Sequence, residues 1–179
     1  MRPKVLGKEK LEYQGFRLGV KSAKILFPGG ASAKWEYMEH PEVVGALPVD
    51  DKGNVYLVKE WRLAWKKEIL QIPTGVFRGR TEKDRIKHLR NELREEIGMD
   101  AGRIKKLAFF YAASTMRFVP NVYLATKLFP SPKQPDGNEF VTIVKMPFSK
   151  AYRMFLDGKV MTTASTLIAF LLAKQILKK

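Results

Sequence analysis

Cysteine is absent from the 179 residues, so disulfide frameworks, thiolate metal sites and thiol catalysis are excluded. Histidine is nearly absent. His40 and His88 lie far apart and form no ligand motif, which leaves oxygen as the main ligand for any metal. Long apolar runs are missing too. No stretch reaches the roughly 18 residues of a membrane span. Ala164 to Leu177 comes nearest, and Lys174 and Gln175 interrupt it. Met1-Arg2-Pro3-Lys4 opens no apolar signal core. The expectation is a cytoplasmic protein with no membrane partner. Acids are scarce: 18 Asp and Glu stand against 33 Lys and Arg, a net charge of +15. Between Ala101 and Pro135 there is no acid, while Arg103, Lys105, Lys106, Arg117, Lys127 and Lys133 are basic. Such an excess attracts anions. A nucleotide is favoured as the partner, and nucleic acid is left open but not favoured.

What is present fits a globular chain able to bury a core: 45% of residues are apolar and 28% charged. There is no internal repeat. Residues 10–40 read as short strands, Phe16 to Leu26 and Lys34 to Met38, around the turn Phe27-Pro28-Gly29-Gly30. Val43 to Val49 and Val55 to Val58 flank Asp50-Asp51-Lys52-Gly53-Asn54 and predict a hairpin. Glu68 to Ile72 predicts a strand, stopped by Pro73-Thr74-Gly75, and Gly75 to Thr81 a basic loop. From about Lys83 to Ile97 the period turns helical, with Ile86, Leu89, Leu93 and Ile97 on one stripe and Gly98 as the stop. Leu107–Tyr111, Val119–Ala125 and Phe140–Met146 predict strands. Two closing helices follow, one capped by Ser149 and running to Leu156, the other from Thr163 to Lys178. This is not the regular alternation of a doubly wound fold. A mixed sheet covered by helices, α/β in the α+β sense, fits better.

The segment that carries chemistry is Asn91-Glu92-Leu93-Arg94-Glu95-Glu96-Ile97-Gly98-Met99. On a helix Glu92, Glu95 and Glu96 stand at i, i+3 and i+4, so their carboxylates share one face. Three like charges so close repel one another, and a divalent cation among them removes the repulsion. Oxygen ligands alone suit Mg²⁺ or Mn²⁺. The plain alternative is a solvated acidic face, but these glutamates follow a basic Gly-containing loop and precede Gly98.

The segment resembles the Nudix hydrolase family, whose pattern is Gly-x5-Glu-x7-Arg-Glu-U-x-Glu-Glu-x-Gly-U, with U aliphatic. Glu92, Leu93, Glu95, Glu96, Gly98 and Met99 fall in place. The first half departs: Phe77, Lys83 and Asn91 occupy the places of the glycine, first glutamate and arginine. With Gly75 as the family glycine, this loop carries two extra residues, Glu82 stands in for the first glutamate, and Arg90 partly for the arginine. Arg90 is then about one residue, or roughly 100°, out of register.

Further segments look like the ADP-ribose pyrophosphatase branch of that family. They are His40-Pro41-Glu42-Val43-Val44, Val58-Lys59-Glu60-Trp61-Arg62, Gln71-Ile72-Pro73-Thr74-Gly75, Asn138-Glu139-Phe140 and Leu156-Asp157-Gly158-Lys159-Val160. Gln71 and Thr163 stand where that branch often has acids, and Ala113 to Arg117 lacks its usual Pro-Gly.

The resemblance implies a Nudix-type mixed β-sheet sandwich flanked by helices. A small N-terminal β segment, residues 1–40, would serve a homodimer, and residues 41–179 would be the hydrolase domain. It implies cleavage of a nucleoside diphosphate linked to another group, ADP-ribose first, giving AMP and ribose 5-phosphate. Glu92, Glu95 and Glu96 would hold Mg²⁺ or Mn²⁺, and one of them or Glu139 would be the base. Arg62 would clamp the diphosphate, with Gln71 and Gly75 beside the substrate. Trp61 or Phe77 could stack on a base, although core packing is the commoner use of an aromatic. Arg78, Arg80 and Lys83 would make binding of an anionic nucleotide salt-sensitive. Two other readings fit the same residues. One is a Nudix-fold nucleotide- or RNA-binding protein with little turnover; the other is a hydrolase of dinucleoside polyphosphates or capped RNA.

Overall fold

The computed structural model describes residues 1–134 and 141–177. In chain order the elements are β1 (Lys4–Gln14), β2 (Gly19–Leu26), β3 (Ser32–Glu39), β4 (Glu42–Pro48), β5 (Asn54–Arg62), β6 (Lys67–Gln71), β7 (Thr74–Phe77) and α1 (Glu82–Glu96). Then come β8 (Met99–Phe109), β9 (Met116–Arg117), β10 (Pro120–Pro130), β11 (Val141–Pro147), α2 (Phe148–Leu156) and α3 (Ala164–Leu177). They fall into two compact units: Met1–Glu42 with Phe110–Val119, and Val43–Phe109 with Pro120–Lys179.

The first unit is one sheet in the order β1-β2-β3-β9. Its first three strands are antiparallel neighbours, and β9 runs parallel to β3. That short pairing brings Phe110–Val119 into a unit otherwise made of the first 42 residues. Ion pairs lace the surface. Arg117 reaches Glu39 at 2.8 Å and Glu9 at 3.3 Å. The Ser22 hydroxyl, then Lys34 and Lys10, hold the Glu12 carboxyl at a pKa of about 2. Every residue of β1 is exposed, and Val5, Leu11, Tyr13, Phe16 and Trp35 present apolar surface to solvent.

The second unit carries two sheets, β7-β4-β10-β8 and β11-β5-β6. β4 and β10 pair in parallel from Val43↔Pro120 to Pro48↔Ala125. Both are central strands buried along most of their length, which explains their continuous apolar runs. α1 packs on β7 and β8, and α3 on β10 and β8. The α1 stripe of Leu89, Leu93 and Ile97 closes a core with Val44, Ala46, Val58, Phe77, Ala101, Tyr123 and Ala125. Leu89 and Leu93 are fully buried, each worth about 1.5–3 kcal/mol of transfer free energy. On α3, Phe170 sits 5.1 Å from both Phe148 and Phe155.

Local chemistry sets the ends of α1. Thr81 caps its start by accepting the Asp84 N–H, and Asp84 accepts the Thr81 N–H in return, a capping box. Gly98 ends it at φ +69°, a conformation that favours glycine.

Four sequence expectations need correction. The predicted hairpin across Asp50 to Asn54 forms a single bridge, Val49↔Val55, after which β4 and β5 part into different sheets. β4 takes β10 as its partner because a fully apolar run needs cover on both faces. The turn itself is real: Asp50 Oδ1 accepts the N–H groups of Lys52 and Asn54 at 3.0 and 2.8 Å. Burial alone would raise the Asp50 pKa, but the Asn54 N–H and Lys145 outweigh it and hold it at about 2. The predicted loop from Gly75 is strand as far as Phe77, because β7 borders β4. Ser149 lies inside α2, whose N-cap is Pro147 without any side-chain cap bond. The expected strand at Phe16 begins instead at Gly19, and β1 precedes it.

Candidate active site

The site grows from a turn. Gln71 ends β6 in one sheet and Thr74 begins β7 in the other, so Ile72-Pro73 carries the chain between them. Gly45 on β4 lets the turn come close. A Cβ there would lie 2.7 Å from Thr74 Cγ2 and 3.1 Å from the Pro73 carbonyl oxygen, and the Ala46 N–H donates to that oxygen at 3.2 Å. Beyond the turn, β7 lies against α1.

The second half of α1 meets this strand with the three predicted glutamates. Glu92 and Glu96 are 9% and 6% exposed, and the Glu95 side chain 8%. Each carboxylate is held differently. The Thr74 N–H donates to Glu96 Oε2 at 3.2 Å. Glu95 pairs with the Lys133 ammonium. Glu92 Oε1 lies 3.0 Å from His88 Nε2, one turn back on the helix, close enough for an ion pair but outside hydrogen-bond geometry. Glu92 also lies against the backbone of Gly75: a Cβ there would stand 2.1 Å from its Oε1 and 2.2 Å from its Cδ. Gly75 is thus a cradle for a carboxylate.

With these partners, no three acidic or histidine side chains among the described residues are gathered as a ready metal site. The donor set nonetheless fits a divalent cation of the Mg²⁺ type. It is all oxygen, with little of its side chains exposed, on one helical face and backed by a glycine that leaves room for the carboxylate. Glu92, Glu95 and Glu96 would hold the ion.

A second cluster lies where β5 and β6 pair. Glu60 Oε2 accepts from Gln71 Nε2 at 3.2 Å and stands 2.8 Å from Arg62 Nη2. Arg62 and Gln71, both expected at the substrate, therefore meet on one carboxylate. Gln71 is buried, and Arg62 keeps about a third of its side chain open. Trp61 is exposed, whereas Phe77 is core.

The two stand-ins in the altered half of the motif do not join the glutamates. Glu82 opens α1, ten residues or roughly 15 Å along the helix from Glu92. It accepts from Tyr123 Oη at 2.9 Å and Lys106 Nζ at 3.0 Å. Burial favours its neutral form, yet Lys106 and Tyr123 lower its pKa. Arg90 bonds Asp100 Oδ1 at 2.5 Å and the Ala101 carbonyl at 2.8 Å, so it orients the helix against β8 rather than within the motif. Glu139, the other expected base, lies outside the described residues. Sequence reasoning missed His88, Lys133 and the Thr74 N–H, and the hold of Glu60 on Gln71; Glu60 as an ion-pair partner of Arg62 is readable from their i, i+2 spacing on a strand. His88 had a readable signal, its i, i+4 spacing to Glu92. The others join through contacts that no local pattern announces.

No family model matches the chain. Among curated proteins it is 27% identical over 157 residues to an ADP-ribose pyrophosphatase of Bacillus subtilis, covering 86% of this chain and 83% of that one. It is also 27% identical to an ADP-ribose pyrophosphatase of Mycobacterium tuberculosis, covering 84% and 74%. A methanol dehydrogenase activator of Bacillus methanolicus is 26% identical, covering 79% and 77%. The fold matches a crystal structure of an ADP compounds hydrolase with TM-score 0.86 at 22% identity, covering 99% of this chain and 95% of that one. Sequence and fold together support the Nudix family, in its ADP-ribose pyrophosphatase-like branch. The Nudix fold expected from the motif is therefore the fold observed. No helix among the described residues is long and apolar enough to cross a membrane.

One consequence for this helix can be read without substrate. The Glu92 carboxylate, opposed by burial and aided by Glu95 and the Val76 backbone, raises the His88 pKa above its ordinary 6.5. A raised folded pKa stabilises the protonated form. That contribution is complete below about pH 6.5 and fades as pH rises through the folded value. In EDTA, the melting temperature of the parent should fall relative to His88→Gln across that window. Parallel pH curves for the two would contradict the ion pair.

Proposed function

We propose that the chain hydrolyses the diphosphate bond of a nucleoside diphosphate linked to another group, ADP-ribose first, releasing AMP and ribose 5-phosphate. The observation that carries the reading is the trio Glu92, Glu95 and Glu96 on one helix face with little of their side chains exposed, Glu92 against the Gly75 backbone and Glu96 accepting the Thr74 N–H. The names of two of the three curated relatives agree with the substrate class.

A divalent cation held by the three carboxylates, Mg²⁺ or Mn²⁺, supplies charge neutralisation and Lewis-acid polarisation of the diphosphate. The chain's own groups do the rest. Arg62 retains guanidinium N–H donors beyond the one turned to Glu60 and can fork onto a phosphate oxygen. Gln71, held by the same Glu60, lies beside it. One of the site glutamates, or Glu139, removes the proton from the attacking water. The new P–O bond forms as the bridging P–O bond breaks, and the proton count balances across the two phosphate products. The same reading carries the cytoplasmic location expected from the sequence.

The reading also includes a homodimer. The first unit exposes Val5, Leu11, Tyr13, Phe16 and Trp35, all five at 52% or more, a concentration of apolar surface that suits a protein partner. Sedimentation at micromolar concentration should give twice the chain mass of 20.5 kDa; a monomer there would dispose of the dimer.

Incubation with ADP-ribose and Mg²⁺ should yield AMP and ribose 5-phosphate, and excess EDTA should stop the reaction. Glu96→Gln should lower kcat by orders of magnitude, since cation-assisted charge stabilisation is worth several kcal/mol. It should still fold, because the amide oxygen of Gln can accept the Thr74 N–H. Gly75→Ala should fold as well, since the three atoms nearest its Cβ all belong to the Glu92 side chain, which can turn aside, yet lose most turnover by displacing that carboxylate. Full activity in either variant or in EDTA would refute the assignment. Binding of nucleotide or RNA without any turnover would favour a binding protein.

A further inference from the structure

Pro73 has no N–H, and the donors flanking it, on Ile72 and Thr74, both bond to side chains. Thr74 donates to Glu96 Oε2. Ile72, which is fully buried, donates to Thr166 Oγ1 at 3.2 Å. A buried N–H without a partner is rarely tolerated, and Thr166, itself 0% exposed, supplies this one across 94 residues of sequence. The Thr166 hydroxyl is in turn 3.0 Å from Thr163 Oγ1 at the start of α3. Just upstream, the Leu70 N–H donates to the Met161 carbonyl at 3.3 Å. One side of the turn is thus tied to α3 and its approach, and the other to α1.

We infer that Thr166 is a positioning residue for the carboxylate site. Its hydroxyl sets the angle of the Ile72-Pro73 turn, and the turn aims the Thr74 N–H at Glu96 and lays the Gly75 backbone along Glu92. The inference rests on the metal-carboxylate reading above. A hydroxyl in the first turn of a helix often bonds to its own helix; this one points to a neighbouring segment that contacts two of the three site glutamates. Partners of this kind, one step removed from the ligands, commonly change metal affinity by about 10- to 100-fold when lost.

The test measures Mn²⁺ affinity by electron paramagnetic resonance without substrate, in the full chain, alongside thermal melting. Thr166→Val keeps the shape and removes the acceptor, and it should weaken Mn²⁺ binding by about tenfold or more. Thr166→Ser restores the hydroxyl and should recover the parent affinity, which a loss of packing alone would not predict. A folded Thr166→Val with parent affinity overturns the inference. If Thr166→Val does not fold, Thr163→Val decides. It removes the hydroxyl that orients Thr166 at a half-buried position, and it should weaken Mn²⁺ binding several-fold; no change overturns the inference. Glu96→Gln is the control for the underlying reading. If it leaves Mn²⁺ affinity unchanged, the metal assignment fails instead. The Thr166 clamp is then judged by amide exchange at Ile72 and Thr74, where unchanged protection in Thr166→Val overturns it.

Discussion

Three carboxylates on one face of one helix repel each other, and burying them raises the cost. The second unit is arranged around relieving it. Along α1, the face that carries Glu92 and Glu96 lies beside the stripe of Leu89, Leu93 and Ile97, so the packing that anchors the helix also draws the charges out of water. Three separate partners compensate: an imidazole one turn back, an ammonium from the segment after β10, and a backbone N–H from β7. These three contacts go to three different carboxylates, and a divalent cation could replace their separate contributions with one shared charge. This follows from the donor chemistry and does not depend on where the other cations of the chain lie.

The backbone N–H is the most demanding of the three, because its direction depends on a proline turn between two sheets. Gly45 allows the turn to pack against β4, and any side chain there would meet Thr74 and the Pro73 carbonyl. Gly75 brings the next stretch of backbone within reach of Glu92. Thus a glycine on each side of the turn and a hydroxyl on α3 fix a geometry that the glutamates alone could not impose. Arg90 and Glu82 contribute from farther away by tying α1 to β8 and β10.

The helix was legible in the sequence because its 3.6-residue period extends over four apolar residues and ends at a glycine. The observed range, Glu82–Glu96, differs from the expectation by a single residue at each end. The carboxylate face was legible for the same reason, since spacing on a helix is local. Gly75 was legible only by resemblance; its physical role is a close approach to Glu92, which spacing does not reveal. What failed were choices decided by partners distant in sequence. An apolar run such as Val43 to Val49 looks alike in a hairpin or beside a parallel strand, and here the strand it joined lies more than 70 residues on. β7 has only four residues and no alternation strong enough to read. Lys133, Thr166 and the Glu60 bridge between Arg62 and Gln71 depend on the fold already being made. Residues 110–119 joined the first unit through a parallel pairing of two residues, too short to leave any pattern.

The central claim is that Glu92, Glu95 and Glu96 together hold a divalent cation against the Gly75–Thr74 backbone. The most direct measurement is anomalous diffraction from crystals of the intact chain soaked in Mn²⁺. A strong peak within coordination distance, about 2.0–2.3 Å, of oxygens from at least two of these glutamates is the predicted result. A peak only at other acids, or none at these three in well-ordered crystals at saturating Mn²⁺, would contradict the account.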